Sequence, residues 1–109
     1  MTNPHGLADD VVKKIQNVLA SFPDVEKAIL YGSRAKGTFK TGSDIDLTLK
    51  TKEVKADRLL FNVIRALDEL DLPYTIDLSL YESIDNPNLV DHIDRVGVEF
   101  YNLDLHQPF

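Results

Sequence analysis

The chain has 109 residues, with Lys+Arg 12 against Asp+Glu 18, for a formal net charge of −6 at pH 7. With 43% hydrophobic and 28% charged residues it reads as one globular domain, 1–109, with a core from about 7 to 101. The acid excess argues against a nucleic-acid grip on phosphates, the lack of cysteine excludes disulfides and thiolate metal centres, and no apolar run suits a membrane span. Residues 1–6 show neither a basic start nor an apolar run, so a cytoplasmic location is expected.

The first pattern is helical. Val11, Val12, Ile15, Val18, Leu19 and Phe22 recur at helix spacing, with Asp9 and Asp10 suited to the first turn and Pro23 past the end. A strand from Lys27 to Tyr31 then runs straight into Gly32-Ser33. Asp44 to Lys50 alternates with period two and predicts a second strand. Leu59, Leu60, Val63, Ile64, Leu67 and Leu70 mark a second long helix, stopped before Pro73. Thr75 to Leu80 is a third strand. Asn86-Pro87 reads as an N-cap with proline at the first helical position, opening a helix to about Val96 that Gly97 caps. Val98 to Tyr101 forms a short edge strand, and 102–109 carries no pattern.

The helix between strands two and three is long enough for a parallel crossover, whereas the link Gly32 to Ser43 suits an antiparallel pair. The expected fold is therefore α/β (α+β), a small mixed β-sheet with helices packed mainly on one face.

The acids inside the strands are the most informative residues. Asp44, Asp46 and Thr48 share one face of strand two, while Ile45, Leu47 and Leu49 share the other. Asp77 and Ser79 likewise oppose Ile76, Leu78 and Leu80. With the apolar faces turned to the helices, the three aspartates converge on the open side of the sheet. Two carboxylates about 4 Å apart repel by roughly 4 kcal/mol at an effective dielectric near 20, so such a cluster calls for a cation. Oxygen donors without sulfur or paired histidine suit Mg²⁺ or Mn²⁺. A solvated polar face whose acids never meet is the other reading of the same residues.

The loop Gly32-Ser33-Arg34-Ala35-Lys36-Gly37 follows a strand directly and is rich in phosphate-binding groups. Gly32 permits close approach of the backbone, Ser33 adds a hydroxyl, and Arg34 and Lys36 add charge. Thr38-Phe39 stands where a P-loop needs Lys-Ser/Thr, and there is no G-x-G-x-x-G. In isolation the loop also fits an ordinary strand-to-turn connection.

Taken together, GSRAKG, SDIDL and TIDLSL resemble the DNA polymerase β-type nucleotidyltransferase superfamily, and in particular the minimal nucleotidyltransferases (MNT) that pair with HEPN-family proteins. The resemblance runs from Val11 to about Tyr101. It implies a nucleotidyltransferase holding two Mg²⁺ ions on Asp44, Asp46 and Asp77, with Asp77 also drawing the proton from the acceptor hydroxyl. Gly32, Ser33 and Arg34 would bind the phosphates of a nucleoside triphosphate, ATP in the relatives. It further implies an antitoxin that moves AMP to a tyrosine of a partner HEPN toxin. Two other readings stand beside this one: a subunit that neutralises its partner by docking alone, and transfer to a small hydroxylated molecule.

The remaining polar residues invite plainer expectations. His5 and His106 read as solvated termini, His92 as a surface residue beside Asp91 and Asp94, and Lys36 as a solvated lysine. Tyr31 reads as core or as stacked near the loop, Tyr81 and Tyr101 as packing, and Lys50, Lys52 and Lys55 as a solvated connection.

Overall fold

The computed structural model describes residues 5–40, 42–52 and 56–106. In chain order these form α1 (Asp9–Ala20), β1 (Val25–Tyr31), α2 (Gly32–Lys36), β2 (Ile45–Thr51), α3 (Ala56–Asp68), β3 (Ile76–Leu80), a 3₁₀ turn (Tyr81–Ser83), α4 (Pro87–Val96), β4 (Val98–Asn102) and α5 (Leu103–His106). The strands make one sheet in the order β3-β2-β1-β4. As the connection lengths require, β2 and β3 are parallel, while β1 runs antiparallel to both β2 and β4. Among the described residues no helix is long and apolar enough to cross a membrane.

Alternation in the strands divides the sheet into two faces. Ala28 and Leu30 of β1 and Leu47 and Leu49 of β2 are fully buried against α1 and α3, which contribute Val11, Ile15, Leu19, Val63 and Leu67. Each buried leucine or isoleucine side chain contributes roughly 1.5–3 kcal/mol, which makes this face the source of most of the fold's stability. Leu7, ahead of α1, is also fully buried and extends that core. The other face carries Asp46, Thr48, Asp77 and Ser79 and is covered only in part, by α4 lying over β1.

Two local features depart from simple expectation. Phe100 and Tyr101 are consecutive in β4 yet both buried, because the pairing with β1 shifts between Ala28 and Ile29. A bulge of this kind re-aims one side chain, so both rings reach the core. Gly97 does not end α4 through a left-handed cap; its φ is −62° and its N–H donates to the Ile93 carbonyl at 2.8 Å. Glycine is needed there for room, since a Cβ would meet the Ile93 carbonyl oxygen and stand 2.6 Å from Ile29 Cγ2. The Asn86 cap forms as expected, its Oδ1 accepting from the Asn88 N–H at 2.9 Å. In the segment after β3, the Tyr81 hydroxyl donates to Asp94 Oδ1 at 2.7 Å, and Lys50 Nζ lies 4.6 Å from the Tyr81 ring centroid.

Candidate active site

The site is assembled at the end of the sheet where β1 runs out and β2 and β3 begin. Tyr31 pairs with Asp46 across the β1–β2 ladder, and Asp46 pairs with Asp77 across the β2–β3 ladder. One row of the open face therefore reads Tyr31, Asp46, Asp77. Asp44 lies just before β2, on the same side of the pleat as Asp46. Asp44 and Asp77 are exposed and Asp46 is half-buried, so this is an open shelf at the edge of the fold.

The electrostatics follow from that row. Burial pushes the Asp46 carboxyl above its ordinary value, and the negative charges of Asp77 and Asp44 push it further, while His92 acts in the opposite sense. The Tyr31 phenol is also raised, chiefly by burial, with the Ser79 side-chain hydrogen bond opposing and the charges of Asp46 and Asp77 adding to the rise. Two residues further along the same face, Ser79 Oγ donates to Thr48 Oγ1 at 2.9 Å across the β2–β3 ladder. These hydroxyls continue the polar strip along the open face.

The glycine turn closes against this row. Gly32 has φ +76°, and a Cβ at this position would run into Asp46 Oδ2. Glycine is thus required twice, for the left-handed backbone and for the space beside the carboxylate. The chain then enters the five-residue helix α2, which ends at Gly37 in the left-handed region, φ 79°. The Thr38 N–H donates to the Ser33 carbonyl at 3.0 Å, completing the turn.

Comparisons with known proteins give the family and the fold. The family profile described as Polymerase beta, Nucleotidyltransferase matches residues 13–105. The chain belongs to this nucleotidyltransferase family. A Methanocaldococcus jannaschii protein named as a protein adenylyltransferase is 23% identical over 94 residues, 83% of this chain and 95% of that protein. Among solved structures, a toxin–antitoxin with AMP-PNP superposes with a TM-score of 0.66 at 22% identity, covering 84% of this chain and 73% of that one. A tri-AMPylated Shewanella oneidensis HEPN toxin in complex with its MNT antitoxin gives 0.61 at 18% identity, covering 87% and 72%. At these identities the structural likeness establishes the shared fold.

For a nucleotidyltransferase, the donor set fits a hard divalent cation. The three aspartates offer only oxygen, and after burial the charges of Asp77 and Asp44 add to the rise of the Asp46 carboxyl. Among the described residues no three His, Asp or Glu side chains are already gathered into an ion cage. A cation placed among them would offset those negative charges.

Arg34 requires a correction. Expected as a phosphate ligand, it is only 2% exposed, and its guanidinium points into the protein. Nε and Nη2 donate to the Ser43 carbonyl at 3.1 and 2.9 Å, and Nη1 donates to the His5 carbonyl at 2.7 Å. His5 is accordingly half-buried instead of a solvated terminus, its Nδ1 donating to the Arg34 carbonyl at 3.1 Å. Lys36 is exposed as expected. Lys55 and the side chain of His106 lie outside the described residues.

His92 is the site residue that sequence reasoning missed. Its Nε2 accepts from the Gly32 N–H at 3.4 Å, and its ring meets Tyr31 edge-on with centroids 6.4 Å apart. A signal was present: Leu89, His92 and Val96 fall at i, i+3 and i+7 beside buried Ile93, on the inward stripe of α4.

Proposed function

We propose that this nucleotidyltransferase moves a nucleoside monophosphate, AMP from ATP, to a tyrosine hydroxyl of a HEPN-family partner and so acts as its antitoxin. The observation that carries the reading is the Gly32 turn packed against Asp46, with Asp77 in register beside it. The names of the relatives, a protein adenylyltransferase and an AMPylated HEPN toxin with its MNT antitoxin, support the substrate and the partner.

In this reading Asp44, Asp46 and Asp77 hold Mg²⁺, with two ions expected from the family. When bound, the ions neutralise phosphate oxygens and stabilise the charge on the attacking and leaving oxygens. The backbone of Gly32 and Ser33, with the Ser33 hydroxyl, holds the β- and γ-phosphates and orients pyrophosphate in line. The Asp77 carboxylate accepts the proton of the acceptor hydroxyl as its oxygen attacks the α-phosphorus. The new O–P bond forms while the bond from the α-phosphorus to the bridging oxygen breaks, and pyrophosphate leaves with that electron pair.

The test is co-expression with a HEPN partner, followed by mass measurement of that partner. Added AMP that depends on intact Asp44, Asp46 and Asp77 is the expected result. A partner that is inhibited but unmodified would favour docking alone and reject transfer.

A further inference from the structure

We infer that Arg34 is a positioning residue that sets the phosphate turn and the two carboxylate segments in one register. The inference rests on the site reading given under Proposed function and assigns Arg34 a task within it.

The guanidinium reaches the segments that lead into both carboxylate strands. Its own backbone belongs to α2, two residues after Gly32. Through Nε and Nη2 it makes a forked pair of hydrogen bonds to the carbonyl of Ser43, the residue immediately before Asp44. One side of it faces the Tyr74 ring at 5.1 Å, three residues ahead of Asp77. Another faces the Phe39 ring, also at 5.1 Å, in the loop between turn and carboxylates. The third nitrogen ties down His5, and Gly6 beside it lies so close to Phe39 that a Cβ would strike the ring. Next to this cluster the Ile45 N–H donates to the Thr75 carbonyl at 2.9 Å, where the two carboxylate strands first meet.

The chemistry argues for placement over mere filling of space. Burying a cation without a carboxylate beside it is costly, and an apolar side chain would fill the volume more cheaply. Among the described residues Arg34 makes no salt bridge. Its charge is answered by carbonyl dipoles and two aromatic faces, all fixed in direction. A planar fork can match a carbonyl pair and two ring planes at once, whereas lysine presents a point charge on a flexible stem. Arg34 therefore fixes angles and offsets between segments as well as holding them together.

R34K and R34A test this alongside the wild type, with transfer kinetics, nucleotide binding and amide hydrogen exchange measured well below the melting temperature of each. The expected result is a tenfold or greater fall in kcat per folded molecule, with the dissociation constant for Mg-ATP changing less than about threefold. Exchange at the Ile45 amide should rise about tenfold in both variants, while amides of the β1–β4 ladder stay protected. Millimolar guanidinium should restore part of the lost kcat to R34A and none to R34K. Unchanged kcat and unchanged Ile45 exchange would overturn the inference. So would a large loss of nucleotide affinity with kcat retained, which is the signature of a phosphate ligand. An inactive wild type would reject the proposed function, and Ile45 exchange alone would then decide the role of Arg34.

Discussion

Asp46 and Asp77 are register partners on adjacent parallel strands, so their side chains leave the same face of the sheet side by side. The neighbouring charge adds to burial in raising the Asp46 carboxyl above its ordinary value of 3.8. Folding therefore favours the protonated form. That contribution is full below 3.8 and is lost as pH rises through the raised value. At neutral pH the charged Asp46 is a liability to the fold. D46N should melt above wild type at neutral pH, and the gap should close as pH falls toward the ordinary value. Nucleotide transfer by the same variant should drop about a hundredfold or more. Melting curves over a pH series with paired activity assays check both halves, and a D46N that melts lower contradicts the electrostatic account.

Cation binding should act on the same term in the opposite direction. At ten times its dissociation constant, Mg²⁺ adds about 1.4 kcal/mol to the folded state, which raises the melting temperature of a domain this size by several degrees. D46N and D77N should show a much smaller shift. Thermal melts titrated with Mg²⁺ measure this, and equal shifts in all three proteins would place the ion elsewhere.

Gly32 and Gly37 provide a matched pair. Both have positive φ, +76° and +79°, but only Gly32 has Asp46 in the space where a Cβ would go, and nothing lies within 4 Å at Gly37. Alanine at either position costs roughly 1–2 kcal/mol for the left-handed backbone. G32A should in addition displace the carboxylate, lowering transfer by at least about a hundredfold, whereas G37A should stay within about threefold of wild type. Similar activities for the two variants would separate the turn from the chemistry.

His92 Nε2 accepts from the Gly32 N–H at 3.4 Å and ties α4 to the turn. H92A removes that acceptor and the edge contact with Tyr31. Transfer should fall about threefold to tenfold with a melting temperature close to wild type. H92Q, which restores an acceptor, should recover part of it. Steady-state kinetics on the two variants check the contact, and wild-type rates in H92A would show that it plays no part.

The strands, their pairing and the row of acids were legible because period-two alternation puts the same message in every residue of β2 and β3. One face of Ile45, Leu47 and Leu49 had to be buried, and that alone placed Asp46 and Asp77 opposite. Arg34 was misread because a guanidinium beside a glycine turn suits a phosphate and a pair of carbonyls equally well. Only the fold reveals that Ser43 and His5 reach it first. His92 lies 60 residues from Gly32 and meets it through packing of α4 on β1, a contact that no local pattern encodes. Gly97 was recognised as the end of α4, but the reason is crowding against Ile29 and not a left-handed cap. α5 went unseen because its four residues are too few to show a period.

The open shelf of carboxylates also sets the manner of encounter. An anionic face on a chain of net charge −6 repels a free triphosphate at a distance, well before any contact forms. Added salt shortens the reach of that field to about 10 Å at 0.1 M, so association should quicken with ionic strength where most charged pairs slow. A nucleotide that has already taken up its divalent ion meets a lower barrier, and the sheet thereby sorts what approaches it by charge as well as by shape.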